Sequence, residues 1–217
     1  MSTLIFDFDG TLADTFFIAV GVFRRLVRRA RSRQATDDDE VEILRGMPAR
    51  HALKRVGVRW WQIPYIVYEG RKAVRDQMDQ VKAIKGIKPV IEKLHKDGHR
   101  ILIVSTNSNK NIDRFLHNNG MEGYFDKVYG GIGLFAKARM LAKIPGELGV
   151  SMDECYYIGD EVRDIDAARR AGMRCVSVSW GYNNSVALER AKADPILSDP
   201  KELYALFSKP TAARKNT

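Results

Sequence analysis

Cysteine is scarce: Cys155 and Cys175 are the only two in 217 residues. Two are too few for a disulfide framework, and no His/Cys cluster offers a soft metal site. Long apolar runs are also missing. The longest, residues 16–23, is interrupted by Gly21 and falls far short of the ~20 residues that span a bilayer. Asp7 and Asp9 break the apolar stretch that a signal peptide would need. No membrane association is expected, and the default is a cytoplasmic protein of a reducing compartment. At 45% hydrophobic and 29% charged residues, the chain has the composition of a globular protein, not of a disordered tail. Its length suits one domain of ~150 residues with a smaller module, enough to bury a core without staples.

Charge is unevenly spread. The net charge is +9, and Arg24, Arg25, Arg28, Arg29, Arg31 and Arg33 lie in a stretch without a single acid. Lys209, Arg214 and Lys215 occupy an acid-free tail. A nucleic-acid surface, a lure for anionic substrates and a solvated helix face all fit such a cluster. No aromatic platform is interleaved with the arginines, so no nucleic-acid partner is expected. The acidic run at residues 37–40 offers partners, and most of the six arginines are expected to face solvent.

Thr3, Leu4, Ile5 and Phe6 form a short apolar strand ending in acids. From residue 15 to about 82 the pattern is helical, without a convincing strand. Beyond Gly86 the pattern changes. Ile87, Val90, Ile91 and Leu94 have helical spacing up to Gly98, and residues 101–104 read as a buried strand. A helix follows and closes at Gly120, then a weak strand at 127–129. A helix over 138–148 is expected to be disturbed by Pro145 and Gly146. Strands at 155–158 and 175–178 flank a helix at 165–171. Helices at 187–193 and 203–207 enclose a short edge strand at 195–197. This alternation predicts an α/β fold with a Rossmann-like parallel sheet, whose ligands bind beyond the C-terminal strand ends.

Four strand ends carry candidate chemistry. Asp7-Phe8-Asp9-Gly10-Thr11-Leu12 places two carboxylates two residues apart before a glycine turn. One could attack phosphorus while the other moves a proton, with a cation offsetting their repulsion; turn-forming acids are the plainer alternative. Ser105-Thr106-Asn107 could hold a phosphoryl oxygen or simply cap a helix. Lys137 opposes the macrodipole where it begins a helix, which an anionic ligand would explain, although a solvated lysine is commoner. Asp160 and Asp164, in Gly159-Asp160-Glu161-Val162-Arg163-Asp164, straddle a loop–helix junction, and oxygen-only ligands suit Mg²⁺. Helix-start acids could account for Asp164, but not for Asp160 at a strand end.

In order and spacing these four strings resemble the motifs of the haloacid dehalogenase-like hydrolase superfamily, over about residues 3–200. The run from Gly159 to Gly172, with Ser179-Trp180-Gly181-Tyr182 after it, looks most like the phosphoglycolate-phosphatase-like branch. The resemblance implies Asp7 as nucleophile, forming an aspartyl-phosphate, and Asp9 as general acid and base. It implies Mg²⁺ held by Asp7, the Asp9 carbonyl and Asp160, with Glu161 or Asp164 in support. Thr106, Asn107 and Lys137 would bind the phosphoryl group. Ser105 competes with Thr106, which is favoured because it abuts Asn107. Lys137 lacks the commonly following proline. The substrate would be a small-molecule phosphate ester.

The resemblance further implies a catalytic core at residues 1–14 and 83–208, with a helical cap at 15–82 inserted after the first strand. Residues 209–217 would be a flexible basic tail. Arg45-Gly46-Met47-Pro48 is similar to the branch's substrate loop, so Arg45, Gly46 and Arg50 are candidate specificity residues, with solvent-facing arginines equally possible. Trp60 and Trp61 are expected in cap packing. The expected activity is a Mg²⁺-dependent phosphomonoesterase. A sugar phosphomutase and a non-catalytic binding protein of the same fold are the alternatives. Monomer and homodimer both remain open.

Overall fold

The structure is a computed structural model that describes residues 1–29, 38–133 and 136–208. Arg31, Arg33, Leu134, Phe135 and the tail 209–217 lie outside the described residues.

Strand β1 (Thr3–Phe6) opens the chain. Four helices follow: α1 (Phe16–Arg29), α2 (Asp38–Arg45), α3 (Ala49–Arg55) and α4 (Ile63–Asp76). The chain then alternates through α5 (Ile87–Lys96), β2 (Arg100–Val104), α6 (Asn109–Asn118), β3 (Lys127–Tyr129), α7 (Lys137–Leu148) and β4 (Cys155–Gly159). It ends with α8 (Val162–Ala171), β5 (Arg174–Val178), α9 (Ser185–Arg190), β6 (Ile196–Leu197) and α10 (Pro200–Phe207). The six strands form one parallel sheet in the order β3-β2-β1-β4-β5-β6. The α/β, Rossmann-like expectation is met.

Strand β1 is central, with Thr3 opposite Arg100 on one side and Cys155 on the other. Its side chains alternate between two buried faces, which is why the run is continuously apolar. Leu4 and Phe6, with Ile101, Ile103 and Ile158, pack against Ile87, Ile91 and Leu94 of α5, Phe115 of α6 and Leu203 of α10. Ile5, with Leu102, Val104 and Tyr157, packs against Leu141 and Ile144 of α7 and Ala168 of α8. From β1 the sheet grows first through β2 and β3, then on the other side through β4. The crevice at this switch, beyond the strand ends, is where such sheets hold ligands.

The segment carrying α1–α4 leaves and rejoins this sheet at adjacent points. Asp14 N–H donates to Lys82 O at 2.9 Å and Ile84 N–H to Leu12 O at 2.9 Å. Helices α1 and α4 pack together, whereas α2 and α3 bury no residue. Arg24 pairs with Asp38 at 2.7 Å and Arg55 with Glu40 at 3.0 Å, so part of the basic excess meets the acidic run. Arg25 is exposed.

Two expectations need correction. Trp60 and Trp61 are 78% and 55% exposed. They sit on a single 3-10 turn that buries none of its residues, and their contacts are with each other, edge to face, and with Arg59. Pro145 does not disturb α7. The helix runs through it to Leu148 and ends at Gly149, whose φ is +65°. Pro145 forfeits only its own donor, and its carbonyl still accepts from Val150 N–H at 3.0 Å.

Candidate active site

Asp7 follows β1 and continues its pairing, its N–H donating to Ile158 O at 2.8 Å. One carboxylate oxygen accepts from Phe8 N–H at 2.8 Å and the other from Lys137 Nζ at 2.9 Å. Gly10 then turns the chain at φ +81°. A Cβ there would collide with the Asp160 carboxylate and with Tyr182, as a Cβ on Gly181 would with Asp160. Glycine is therefore required on both sides of Asp160.

Asp160 is fully buried at the end of β4. Thr11 Oγ1 donates to its Oδ1 at 2.6 Å and Tyr182 N–H to its Oδ2 at 2.6 Å. Asp164 stands one turn into α8. Its Oδ2 accepts from Glu161 N–H at 3.1 Å, closing the helix start, and its Oδ1 from Lys137 Nζ at 2.8 Å. Lys137, buried at the start of α7, thus bridges Asp7 and Asp164 over the Tyr157 ring. These two carboxylates explain a lysine placed against the helix dipole.

Asp9 faces a second set of donors. Asn107 Nδ2 approaches its two oxygens at 3.2 and 3.1 Å, and the Thr15 hydroxyl lies near enough to favour its ionised form. Thr15 in turn meets Tyr182 Oη at 3.2 Å. The Asn107 oxygen already accepts from Ser108 N–H at 2.9 Å and Asn111 Nδ2 at 2.8 Å, so its NH₂ has to face Asp9. Ser105 Oγ is buried and accepts from Asn107 N–H at 3.0 Å, while Thr106 lines the adjoining cavity.

The electrostatics follow from crowding. Burial pushes Asp7 up to about 7, Lys137 opposing and Asp164 adding to the rise. Asp160 is driven well above the usual carboxylate range, first by burial and then by Glu161, Asp164 and Asp7. Burial also raises Asp9, with Asn107 and Thr15 pulling the other way. Asp164 stays low despite its burial because Lys137 and Arg163 lie beside it. Five carboxylates (Asp7, Asp9, Asp160, Glu161 and Asp164) face two cations, Lys137 and Arg163.

Oxygens of Asp7, Asp160 and Asp164 lie within 4.8 Å of one another. A buried, mutually repelling, all-oxygen set of this kind suits a hard divalent cation such as Mg²⁺ and not zinc. Glu161 is outside this trio, and its Oε1 pairs with Arg163.

The structure therefore gathers Asp7, Asp9, Asn107, Lys137, Asp160 and Asp164, and sets Thr106 on the cavity wall beside them. Arg45 and Gly46 lie farther out. Arg45 Nη2 donates to Gly181 O at 2.7 Å and Ser179 O at 3.1 Å, and Gly46 O accepts from Arg190 at 3.2 Å. Arg50 is exposed at the rim of the cavity. Thr11, Thr15, Asn111, Tyr157, Arg163 and Tyr182 also belong to the site but carry no periodic signal. Thr11, Arg163 and Tyr182 stand in strings with a recognisable pattern, whereas Thr15, Asn111 and Tyr157 do not.

The sequence model of the haloacid dehalogenase-like hydrolases matches residues 4–178. A phosphoglycolate phosphatase of Synechococcus elongatus is 29% identical over 203 residues, covering 94% of this chain and 95% of its own length. A pyrophosphatase of Bacillus mycoides is 22% identical, covering 96% of this chain and 98% of its own. Among solved structures, a conserved haloacid dehalogenase-like protein of unknown function from Agrobacterium tumefaciens superposes with a TM-score of 0.75. It is 24% identical and covers 95% of this chain and 97% of its own.

Proposed function

Since the chain belongs to the haloacid dehalogenase-like hydrolases, we propose that it is a Mg²⁺-dependent phosphomonoesterase acting through an aspartyl-phosphate. The observation that carries this reading is the contrast between Asp7 and Asp9. They are two residues apart, yet Asp7 is bonded to Lys137 and Asp9 only to neutral donors. That difference suits a nucleophile and a proton carrier, respectively.

The Asp7 oxygen forms the bond to phosphorus as the ester oxygen leaves, taking a proton from Asp9. Asp9 then accepts a proton from the water that attacks phosphorus, releasing inorganic phosphate and restoring Asp7. Lys137 holds Asp7 in place, and Thr106 supplies a hydroxyl to the phosphoryl oxygens. Asp7, Asp160 and Asp164 would hold Mg²⁺, which supplies positive charge to the transferring group. Residues 15–82 act as a cap that excludes water when seated on the strand ends. Phosphoglycolate, named for the Synechococcus relative, is the reference ester of this reading.

The test is release of inorganic phosphate from p-nitrophenyl phosphate. It should require Mg²⁺ and fall by at least about 10³-fold in Asp7→Asn. An active Asp7→Asn, purified away from host phosphatases, would refute the nucleophile. Repeating the assay with a sugar phosphate separates hydrolysis, which frees inorganic phosphate, from transfer, which returns the phosphoryl group to a sugar hydroxyl.

A further inference from the structure

A cavity of about 860 Å³ lies over the strand ends, and its two regions differ in chemistry. Its floor comes from the loops after the strands and the start of α8, with Asp9, Thr106, Asn107, Ser108 and Arg163. Its walls come from α1–α4, with Phe16, Val20, Val41, Leu44, Leu53 and Ile66. These six are only half-buried, so their apolar surface faces the cavity instead of a packed core. Ligand sites of ~300–1,000 Å³ accommodate drug-sized molecules, and a two-carbon ester such as phosphoglycolate would leave most of this one unfilled.

The cations point the same way. A small phosphorylated acid needs a positive group inside the cavity for its second anion. Arg45 is committed through Nη1 and Nη2 to Glu42, Ser179 O and Gly181 O, leaving only its Nε without a partner, and Arg163 is committed to Glu161. The remaining lining cations, Arg50, Arg71, Lys72 and Arg75, are exposed. Among the described residues, no unpaired buried cation stands in the apolar walls.

We infer that the preferred substrate is a phosphate monoester with an extended apolar body, phosphate on the Asp9–Thr106 floor and the body between α1 and α3–α4. This rests on the phosphatase reading and narrows its substrate class. A body that leaves water for these walls should gain about three- to fourfold in kcat/KM per methylene until the walls are filled.

The experiment is a series of n-alkyl phosphates, ethyl to decyl, alongside phosphoglycolate and p-nitrophenyl phosphate with Mg²⁺. A rising series, with hexyl phosphate ahead of phosphoglycolate, supports the inference. A flat series, or phosphoglycolate ahead of every alkyl ester, overturns it while leaving the phosphatase reading intact. No phosphate from any ester would instead overturn the phosphatase reading. The apolar-bodied ligand class would then be decided by calorimetric binding of the matching n-alkyl phosphonates: affinity rising with chain length upholds it for a binding site, and a flat affinity rejects it. In Leu53→Asp, hexyl phosphate should lose at least about tenfold more kcat/KM than ethyl phosphate does. Equal losses would show that Leu53 does not touch the body of the substrate.

Discussion

Asp160 accepts two short hydrogen bonds, from Thr11 and Tyr182, yet burial and three neighbouring acids still drive its carboxyl far up. Two donors do not offset that repulsion, and a divalent cation would. Mg²⁺ should therefore stabilise the folded chain, by about 2.7 kcal/mol at a hundredfold excess over its dissociation constant. In Asp160→Asn the Mg²⁺-dependent rise in Tm should vanish. An undiminished rise would place the ion elsewhere. His99 offers an independent check, on the opposite edge of the core. It is 7% exposed, its Nδ1 accepting from Ser2 N–H at 3.3 Å and its Nε2 facing Phe207 O at 3.1 Å. The neutral tautomer with a proton on Nε2 meets both partners, and burial holds the ring below its usual pKa of 6.5. A base depressed on folding takes up its proton more readily when unfolded. Its share of stability is thus present above the unfolded value and is lost as pH falls toward the folded one. The urea midpoint of the wild type should approach that of His99→Gln as pH drops from about 7.5 to about 5.5. A constant gap would mean that the ring is not held neutral.

At the scale of elements, legibility followed the range of the interaction. Strands β1, β2, β4 and β5 were readable because burial on both faces leaves an unbroken apolar run, and α5 because its buried face recurs at helical spacing. The apolar pattern starts α8 at residue 165, three residues after its true start at Val162. The Glu161–Asp164 capping box sets it, and that box lies before the first buried apolar residue, Ile165. The contacts between the inserted helices and the strand-end loops were invisible, since they join residues far apart by side chain to backbone. Arg45 is the clearest example. Over the Phe16 ring at 5.0 Å, its guanidinium ties the end of α2 to the loop at residues 179–181. Asn183 Nδ2 adds bonds to Arg45 O at 3.0 Å and Met47 O at 3.2 Å. Arg45→Ala would leave two carbonyls short of a donor, a loss of about 1–3 kcal/mol local to this contact. It should speed limited proteolysis in the α2–α3 region and raise KM for every ester by a similar factor. Arg50→Ala, at the rim and without a bonded partner among the described residues, should leave proteolysis unchanged. If Arg45→Ala raised KM for one ester only, with proteolysis unaltered, the residue would be reading substrate and not holding the helices.

Across the whole molecule, charge is divided by region. Residues 15–82 hold 15 Lys and Arg against 8 Asp and Glu, so most of the net +9 belongs to the stretch that carries α1–α4. Beneath it lies a floor of acids that would repel a phosphate dianion. The two fields act over different ranges. The acidic floor is buried and is balanced by Lys137, Arg163 and any bound cation at a few ångströms. Arg50, Arg71, Lys72 and Arg75 stand exposed around the cavity, where their attraction reaches solvent. That attraction is screened once the Debye length falls below the dimensions of the cavity mouth, at about 0.1 M salt and above. With Mg²⁺ fixed and saturating, kcat/KM for p-nitrophenyl phosphate should fall several-fold between about 20 and about 300 mM NaCl while kcat stays level. Reversing two rim charges, in Arg71→Glu with Lys72→Glu, should lower kcat/KM at low salt and flatten its dependence on salt. If kcat/KM were indifferent to salt in the wild type, the basic excess would be a solvated surface with no part in drawing the ester to the acids below.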